Sequence, residues 1–293
     1  MLVMAILYVM IVVFRENIVH LPKRNIDKIS LLMKVTVIGT GNMGGALVRG
    51  LVRSGVLPAA DITCTALSES TLGKLRSFDS GLVLTTDNVA AVRGADVVVI
   101  AVKPWVIASV VEQIASALDA TRQCVVSMVA GISLDDLAGM FDQWSGQVPP
   151  LCVAIPNTAI ELKCGVSFLT MRGLSQVQSR DVTGLFAALG KCYVVDEPHL
   201  RAGTVLASCG IAYALRYIHA AAQGGVELGF RPAEAQDIVA HTVKGAAELL
   251  IANGTHAEQE IDKVTTAGGI TIRGLNAMEH AGFSSAVIKG LKA

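Results

Sequence analysis

A chain of 293 residues with 24 Lys plus Arg against 24 Asp plus Glu has no net formal charge, which excludes a basic field for nucleic acid and an acidic tail. Its 52% hydrophobic residues, 4% aromatics and 28 Gly describe an α/β protein with closely packed helices rather than a fibrous or low-complexity one. Single cores seldom grow beyond about 250 residues, so two domains are expected, and the charged fraction of only 16% predicts that another subunit covers part of the surface.

Residues 1–14 are wholly apolar, short of the roughly 20 that a spanning helix needs, and they lack a basic n-region and a small-residue cleavage site. Met33-Lys34 opens the first strand, so residues 1–32 are expected to be an N-terminal extension outside the fold. Val35, Val37 and Ile38 then lead into Gly39, Gly41 and Gly44, spaced G-x-G-x-x-G, and a helix-forming run over 46–52. Strand, tight turn and helix in that order point to dinucleotide binding. Gly39 lets the chain reverse, Gly41 leaves room for a pyrophosphate, and Gly44 lets helix and strand pack closely. Free N–H groups and the positive end of the helix dipole meet the phosphates.

Next come a strand over 61–65, a helix over 70–77 and a strand over 82–84. The apolar run over 95–102 has the continuity of a strand buried on both faces and ends at Lys103-Pro104, where proline stops the ladder. A helix over 105–118 and a strand over 124–128 follow. Strands alternating with helices predict a parallel, doubly wound sheet with a ligand crevice beyond the strands' carboxyl ends. Those ends are Gly39 to Gly44, Thr65 to Ser68, Asn88, Ala101 to Pro104, and Val129 to Gly131. NAD enzymes place an acid about 20 residues beyond the glycines; here Thr65-Ala66-Leu67-Ser68 offers none before Glu69, which leans towards NADPH, with NADH possible.

Further strands are expected over 151–154, 166–170 and 191–195, and beyond Pro198 long Ala-rich helices over 200–228 and 232–253. The run over 202–222 has the apolarity of a membrane span, but Arg216 and His219 interrupt it; a buried helix of a dimer is the better reading. In Asp262 to Glu279, Thr265, Thr266, Gly268, Gly269 and Thr271 lie just before a helix-spaced apolar set. Hydroxyls and glycine-freed N–H groups at a helix N-terminus are the parts that hold a small carboxylate; the alternative is an ordinary turn capped by Thr271. The six cysteines contain no C-x-x-C pair and read as reduced, buried small hydrophobes in a cytoplasmic protein. The six His have no ligand spacing, and no residue is assigned to a metal. Lys103, Lys244 and Glu197 each have a catalytic reading beside that of a solvated surface residue.

Taken together, G-T-G-N-M-G-G over 39–45, Ala101-Val102-Lys103-Pro104, Pro156-Asn157-Thr158, Ser208-Cys209-Gly210-Ile211-Ala212-Tyr213 and Val264-Thr-Thr-Ala-Gly-Gly-Ile-Thr271 resemble the pyrroline-5-carboxylate reductases, over residues 33–293. The resemblance implies reduction of 1-pyrroline-5-carboxylate to L-proline with NAD(P)H, the last step of proline biosynthesis. It also implies a Rossmann-type domain over 33–195 and an all-helical substrate-binding and dimerisation domain over 196–293, in a homodimer or higher homo-oligomer. Carried over, the cofactor side is Ile38, Gly39, Thr40, Gly41, Asn42, Met43, Gly44, Asn88, Ala101, Val102, Lys103, Pro104, Ala130 and Gly131. The substrate side is Thr266, Gly268, Gly269, Ile270, Thr271, Thr204 and Tyr213, with Thr271 as the catalytic anchor. Arg201, Cys209, Ile211, Lys263 and Ala267 depart from the family's usual residues.

Overall fold

In a computed structural model the described residues are Met33–Ala293; the expected extension over 1–32 lies outside them. The described chain divides into two compact units, one ending at Ser208 and one spanning Cys209–Ala293.

The first unit is built on β1 (Val35–Ile38), β2 (Ile62–Thr65), β3 (Val83–Thr85), β4 (Val97–Ile100), β5 (Cys124–Ser127), β6 (Leu151–Pro156), β7 (Gly165–Arg172) and β8 (Gly190–Val194). They make one sheet in the order β3-β2-β1-β4-β5-β6-β7-β8, reversing direction of travel between β1 and β4 as in doubly wound folds. Every neighbouring pair is parallel except β6 and β7. The parallel sheet expected of the alternating strands is thus found over β1–β5, and the exception lies among the later strands, to which the sequence assigns no direction. β6 and β7 are joined by a short 3₁₀ turn, Thr158–Leu162, and a connection without a crossover helix can only pair strands antiparallel.

The period of two along each strand divides the core into two layers. Val35 and Val37 of β1 and Val97 and Val99 of β4 face a cluster with Leu47, Leu51, Leu185 and Phe186. Ile38, Val98 and Ile100 face the opposite cluster with Val110, Val111, Ile114, Leu137 and Phe141. The first layer is closed by α1 (Asn42–Ser54), which buries Leu47, Val48 and Leu51 and stops at Gly55 in the left-handed conformation. Each such side chain contributes about 1.5–3 kcal/mol when buried.

After α2 (Glu69–Phe78), the first unit holds four helices that the sequence reading lacks or misplaces. Asn88, expected just beyond the third strand, opens a short helix, α3 (Asn88–Val92). The helix expected over 105–118 is a 3₁₀ turn, then α4 (Ile107–Ile114), then a second 3₁₀ turn. α5 (Leu134–Ser145) and α6 (Gln176–Ala187) are absent from the reading altogether. Each carries a capping box, Ser133 with Asp136 and Ser175 with Gln178, a signal legible without any structure. Burial also separates the cysteines. Cys64, Cys124, Cys152 and Cys192 are buried, and desolvation pushes the thiols of Cys64, Cys124 and Cys192 up to about 12. Cys164 and Cys209 are exposed, against expectation.

The long helix expected over 200–228 is continuous in sequence but not in winding. α7 (Glu197–Gly203) gives way to a π segment, Thr204–Cys209, before α8 (Gly210–Glu227). The second unit continues with α9 (Pro232–Asn253), α10 (Ala257–Lys263), α11 (Ile270–His280) and α12 (Phe283–Lys292). Pro232 at the first helical position and Gly254 in the left-handed conformation bound α9, as expected of those residues. Glu197–Glu227 is long and apolar enough to cross a membrane by length and composition, yet only 6% of its apolar window is buried within the chain. The expected burial is therefore not supplied by the described residues.

Candidate active site

The turn after β1 is held by β2. Gly39 N and Thr40 N donate to the Thr65 carbonyl at 3.1 and 3.0 Å, and Thr40 Oγ1 donates to the same oxygen at 3.1 Å. Three donors on one acceptor fix the turn that ends β1. Gly39 has φ +88°, a conformation only glycine adopts without strain. A Cβ on Gly44 would lie 2.2 Å from the Gly39 carbonyl oxygen, whereas one on Gly41 would meet nothing within 4 Å. The first glycine bends the chain, the third lets α1 approach it, and the second leaves open space over the helix N-terminus. Gly41 caps α1 without a side-chain bond, and the first turn holds no acid. Uncapped N–H groups at a helix N-terminus are the parts from which anion seats are built.

The neighbouring strand ends stand beside this turn in the first unit. Ala101 N donates to the Ile38 carbonyl and Met128 N to the Ile100 carbonyl, both at 2.8 Å, so the segments after β1, β4 and β5 stand side by side. Ile38 to Gly44, Ala101 to Pro104 and Ala130-Gly131 thus gather at one edge. Asn88 joins through its side chain: Thr65 Oγ1 donates to Asn88 Oδ1 at 2.7 Å, and Asn88 Nδ2 donates to Gln113 Oε1 at 3.0 Å. Gln113 escaped sequence reasoning, because nothing in its local pattern marks a residue that orients another's amide. Lys103 is exposed.

In the second unit, Thr266, Gly268, Gly269, Ile270 and Thr271 form one loop leading into α11. Gly268 has φ +72°, and Gly269 folds over Thr266, its N–H donating to the Thr266 carbonyl at 2.9 Å. A Cβ on Gly269 would come 2.5 Å from Thr266 Oγ1. Gly269 is the N-cap of α11 and helix begins at Ile270, which corrects the alternative in which Thr271 caps the turn. Thr271 instead sits in the first helical turn, exposed, beside N–H groups that no side chain caps. Ile270 is 88% exposed. Tyr213, in the same unit on α8, donates its hydroxyl to the Gly290 carbonyl at 3.2 Å. Thr204 belongs to the first unit and donates to the Leu200 carbonyl at 2.8 Å.

Of the other candidates, Glu197 has structural work. Glu197 Oε1 accepts from Leu134 N at 2.9 Å, satisfying a free donor at the N-terminus of α5. Glu197→Ala is expected to lower stability by about 1 kcal/mol, the usual worth of a lost cap, with the KM values of both substrates unchanged; thermal melting and steady-state kinetics check it. Lys263, where the family usually has Asn, donates to Glu260 at 2.7 Å, and Lys244 is exposed on α9. Lys263, Thr255 and Asn253 together bring the Glu260 carboxyl down from 4.5 to about 2, fixing the α9–α10 corner ahead of the substrate-side loop. A carboxyl lowered on folding stabilises fully above its unfolded value and loses that contribution as pH falls towards the folded one. The melting-temperature gap between wild type and Glu260→Gln is therefore expected to be wide near neutrality and to narrow from about pH 4.5 downwards.

Known proteins resemble this chain at both ends. A family described as pyrroline-5-carboxylate reductase dimerisation matches residues 197–293, and one described as NADP oxidoreductase coenzyme F420-dependent matches residues 34–131. Pyrroline-5-carboxylate reductase 2 of Dictyostelium discoideum is 34% identical over 272 residues, 88% of this chain and 89% of that protein. The chain belongs to the pyrroline-5-carboxylate reductase family. Pyrroline-5-carboxylate reductase 1 of the same organism is 38% identical over 269 residues, 88% of this chain but 48% of its own length, so this chain spans about half of that relative. Among solved structures, Plasmodium falciparum pyrroline carboxylate reductase with NADP bound superposes with a TM-score of 0.78 at 22% identity, covering 89% of this chain and 95% of that one.

Proposed function

We propose that this protein reduces 1-pyrroline-5-carboxylate to L-proline with NADPH, the last step of proline biosynthesis, in the cytoplasm and as a homodimer or larger homo-oligomer. The observation that carries the reading is the pairing of two loops in a chain of this family. One is a glycine turn with open space at Gly41; the other is a threonine-glycine loop with Thr271 exposed at a helix N-terminus.

The residues fit a dinucleotide. Ile38, Gly39, Thr40, Gly41, Asn42, Met43 and Gly44 receive its phosphates, Asn88 and Ala101 to Pro104 line its course, and Ala130 and Gly131 close the edge. NADPH, when bound, supplies the hydride. The preference for NADPH rests on the lack of an acid at the tip of β2, on the family likeness over 34–131 and on the NADP held by the Plasmodium falciparum protein.

For the substrate, Gly268, Gly269 and Ile270 present main-chain donors and Thr271 its hydroxyl to the carboxylate, with Thr266, Thr204 and Tyr213 as further wall. A protonated cyclic imine already accepts hydride readily, so the protein's task is placement and exclusion of water rather than general acid–base chemistry. The apolar surface left open along Glu197–Glu227, within a segment that matches the dimerisation family, supports its burial by a second copy. The six unpaired cysteines fit a reducing compartment.

Steady-state oxidation of NADPH, and separately NADH, with 1-pyrroline-5-carboxylate as sole acceptor tests the reading. Turnover with a clear preference for NADPH is expected. Absence of turnover with either cofactor in a folded protein that binds NADPH would overturn it.

A further inference from the structure

Asn157 follows β6 and is 5% exposed. An asparagine just ahead of a helical turn commonly caps it with its own side chain, yet here the 3₁₀ turn Thr158–Leu162 receives no such bond. All four polar groups of Asn157 are engaged, and both ends of its side chain bond outside the turn. Its N–H donates to the Val166 carbonyl at 3.1 Å and its carbonyl accepts from Ile160 N at 3.2 Å. Oδ1 accepts from Val166 N at 3.3 Å, and Nδ2 donates to the Ala207 carbonyl at 3.3 Å. A main-chain N–H only donates, so Val166 fixes which end of the carboxamide is oxygen and aims the amino end at Ala207.

Ala207 lies inside the π segment Thr204–Cys209. The next residue makes a second tie, Ser208 Oγ donating to the Pro156 carbonyl at 3.4 Å. Just before the segment, Gly203 lies so close to Phe168 of β7 that a Cβ would come within 2.6 Å of the ring. The π turn is therefore tied through Ala207 and Ser208 to the end of β6 and the residue after it, while Gly203 just ahead of it packs on β7. Single π turns are rare and gather at functional sites. A one-residue change of winding turns a helix by about 100°, so relaxing this one would re-aim Thr204.

We propose that Asn157 is a positioning residue of the reductase site, its carboxamide holding the π segment in the winding that presents Thr204 to the substrate. The inference rests on the reductase reading and on the substrate-side place of Thr204 within it. Asn157 touches neither substrate nor cofactor; it acts through Ala207. Among the described residues the atoms bonded to its carboxamide are main-chain atoms of Val166 and Ala207, with no charged side chain among them.

Asn157→Asp in the full-length protein separates positioning from mere support. The new carboxylate keeps the acceptor for Val166 N but opposes the Ala207 carbonyl. The KM for 1-pyrroline-5-carboxylate is expected to rise about tenfold at alkaline pH, the scale of one lost buried hydrogen bond, while the KM for NADPH stays within about twofold. As pH falls towards about 5.5, protonation restores a donor to Ala207, since burial raises the carboxyl's pKa. The variant-to-wild-type KM ratio then falls towards one. A ratio that is unity throughout, or raised equally at every pH, would overturn the proposal. Should Asn157→Asp not fold, Ser208→Ala removes only the second tie and is expected to raise the same KM by about threefold; no change would overturn the proposal. Wild-type protein without turnover would remove the reductase reading and this inference with it, whereas active wild type with a flat ratio removes this inference alone.

Discussion

Gly44→Ala is expected to lower the melting temperature and remove measurable NADPH-dependent turnover, whereas Gly41→Ala is expected to fold normally and lose only cofactor affinity. The two positions sit three residues apart in one turn and differ in what a methyl group would meet. At Gly44 the nearest atom is a backbone oxygen, Gly39 O at 2.2 Å, with Ala101 Cβ at 3.1 Å behind it. Neither can swing aside, so α1 must lift off the turn. Overpacking of this kind costs about 3 kcal/mol, or roughly 6–12 °C in a chain of this size. At Gly41 the methyl meets nothing within 4 Å, and φ of −69° suits alanine. Stability is expected to change by about 1 kcal/mol or less, the difference between glycine and alanine as a cap. The space it fills is where a pyrophosphate approaches the backbone, so the KM for NADPH is expected to rise about tenfold or more, with the KM for the imine unchanged. Equal effects at both glycines on stability and on cofactor KM would refute this division of labour.

Thr271→Ala is expected to lower kcat/KM for 1-pyrroline-5-carboxylate by roughly 10- to 150-fold, the worth of one hydrogen bond to a charged group. Thr271→Ser keeps the hydroxyl and should stay within about threefold of wild type. The side chain is exposed and lies beyond the N-cap, so its removal should shift stability by no more than about 0.5 kcal/mol. Full activity in the alanine variant would show that the anchor lies elsewhere in the loop.

The first unit was legible where one rule governs one stretch. Val35 to Gly44 gave strand, turn and helix because each glycine answers a separate steric demand, and those demands reappear as φ +88° at Gly39 and the 2.2 Å clash at Gly44. β4 was placed by its unbroken apolar run, although only Val97–Ile100 pairs as strand. The helices α5 and α6 were legible too: Ser133 and Ser175 announce them through capping boxes, and in α5 Leu134, Leu137 and Phe141 recur at helical spacing, whereas the apolar stripe of α6 is weak.

The antiparallel turn from β6 to β7 and the π segment after Gly203 were not legible. Both depend on what packs against them: the first on a short connection, the second on Asn157, 50 residues before its partner Ala207, and on Phe168 of β7. The same holds for the cysteines. Sequence alone separates no buried thiol from an exposed one, and Cys164 and Cys209 lie outside the sheet that covers the other four. The composition of 265–271 marks a threonine-glycine loop, but nothing in it places the start of the next helix, because Gly269 caps α11 without a side chain.

Reduction of the cyclic imine is read from its product: full-length protein is given 1-pyrroline-5-carboxylate and NADPH, and L-proline formed is measured against NADPH consumed. One proline per NADPH, with both rates falling together in Thr271→Ala, is the expected result. A folded protein that binds NADPH yet forms no proline would contradict it.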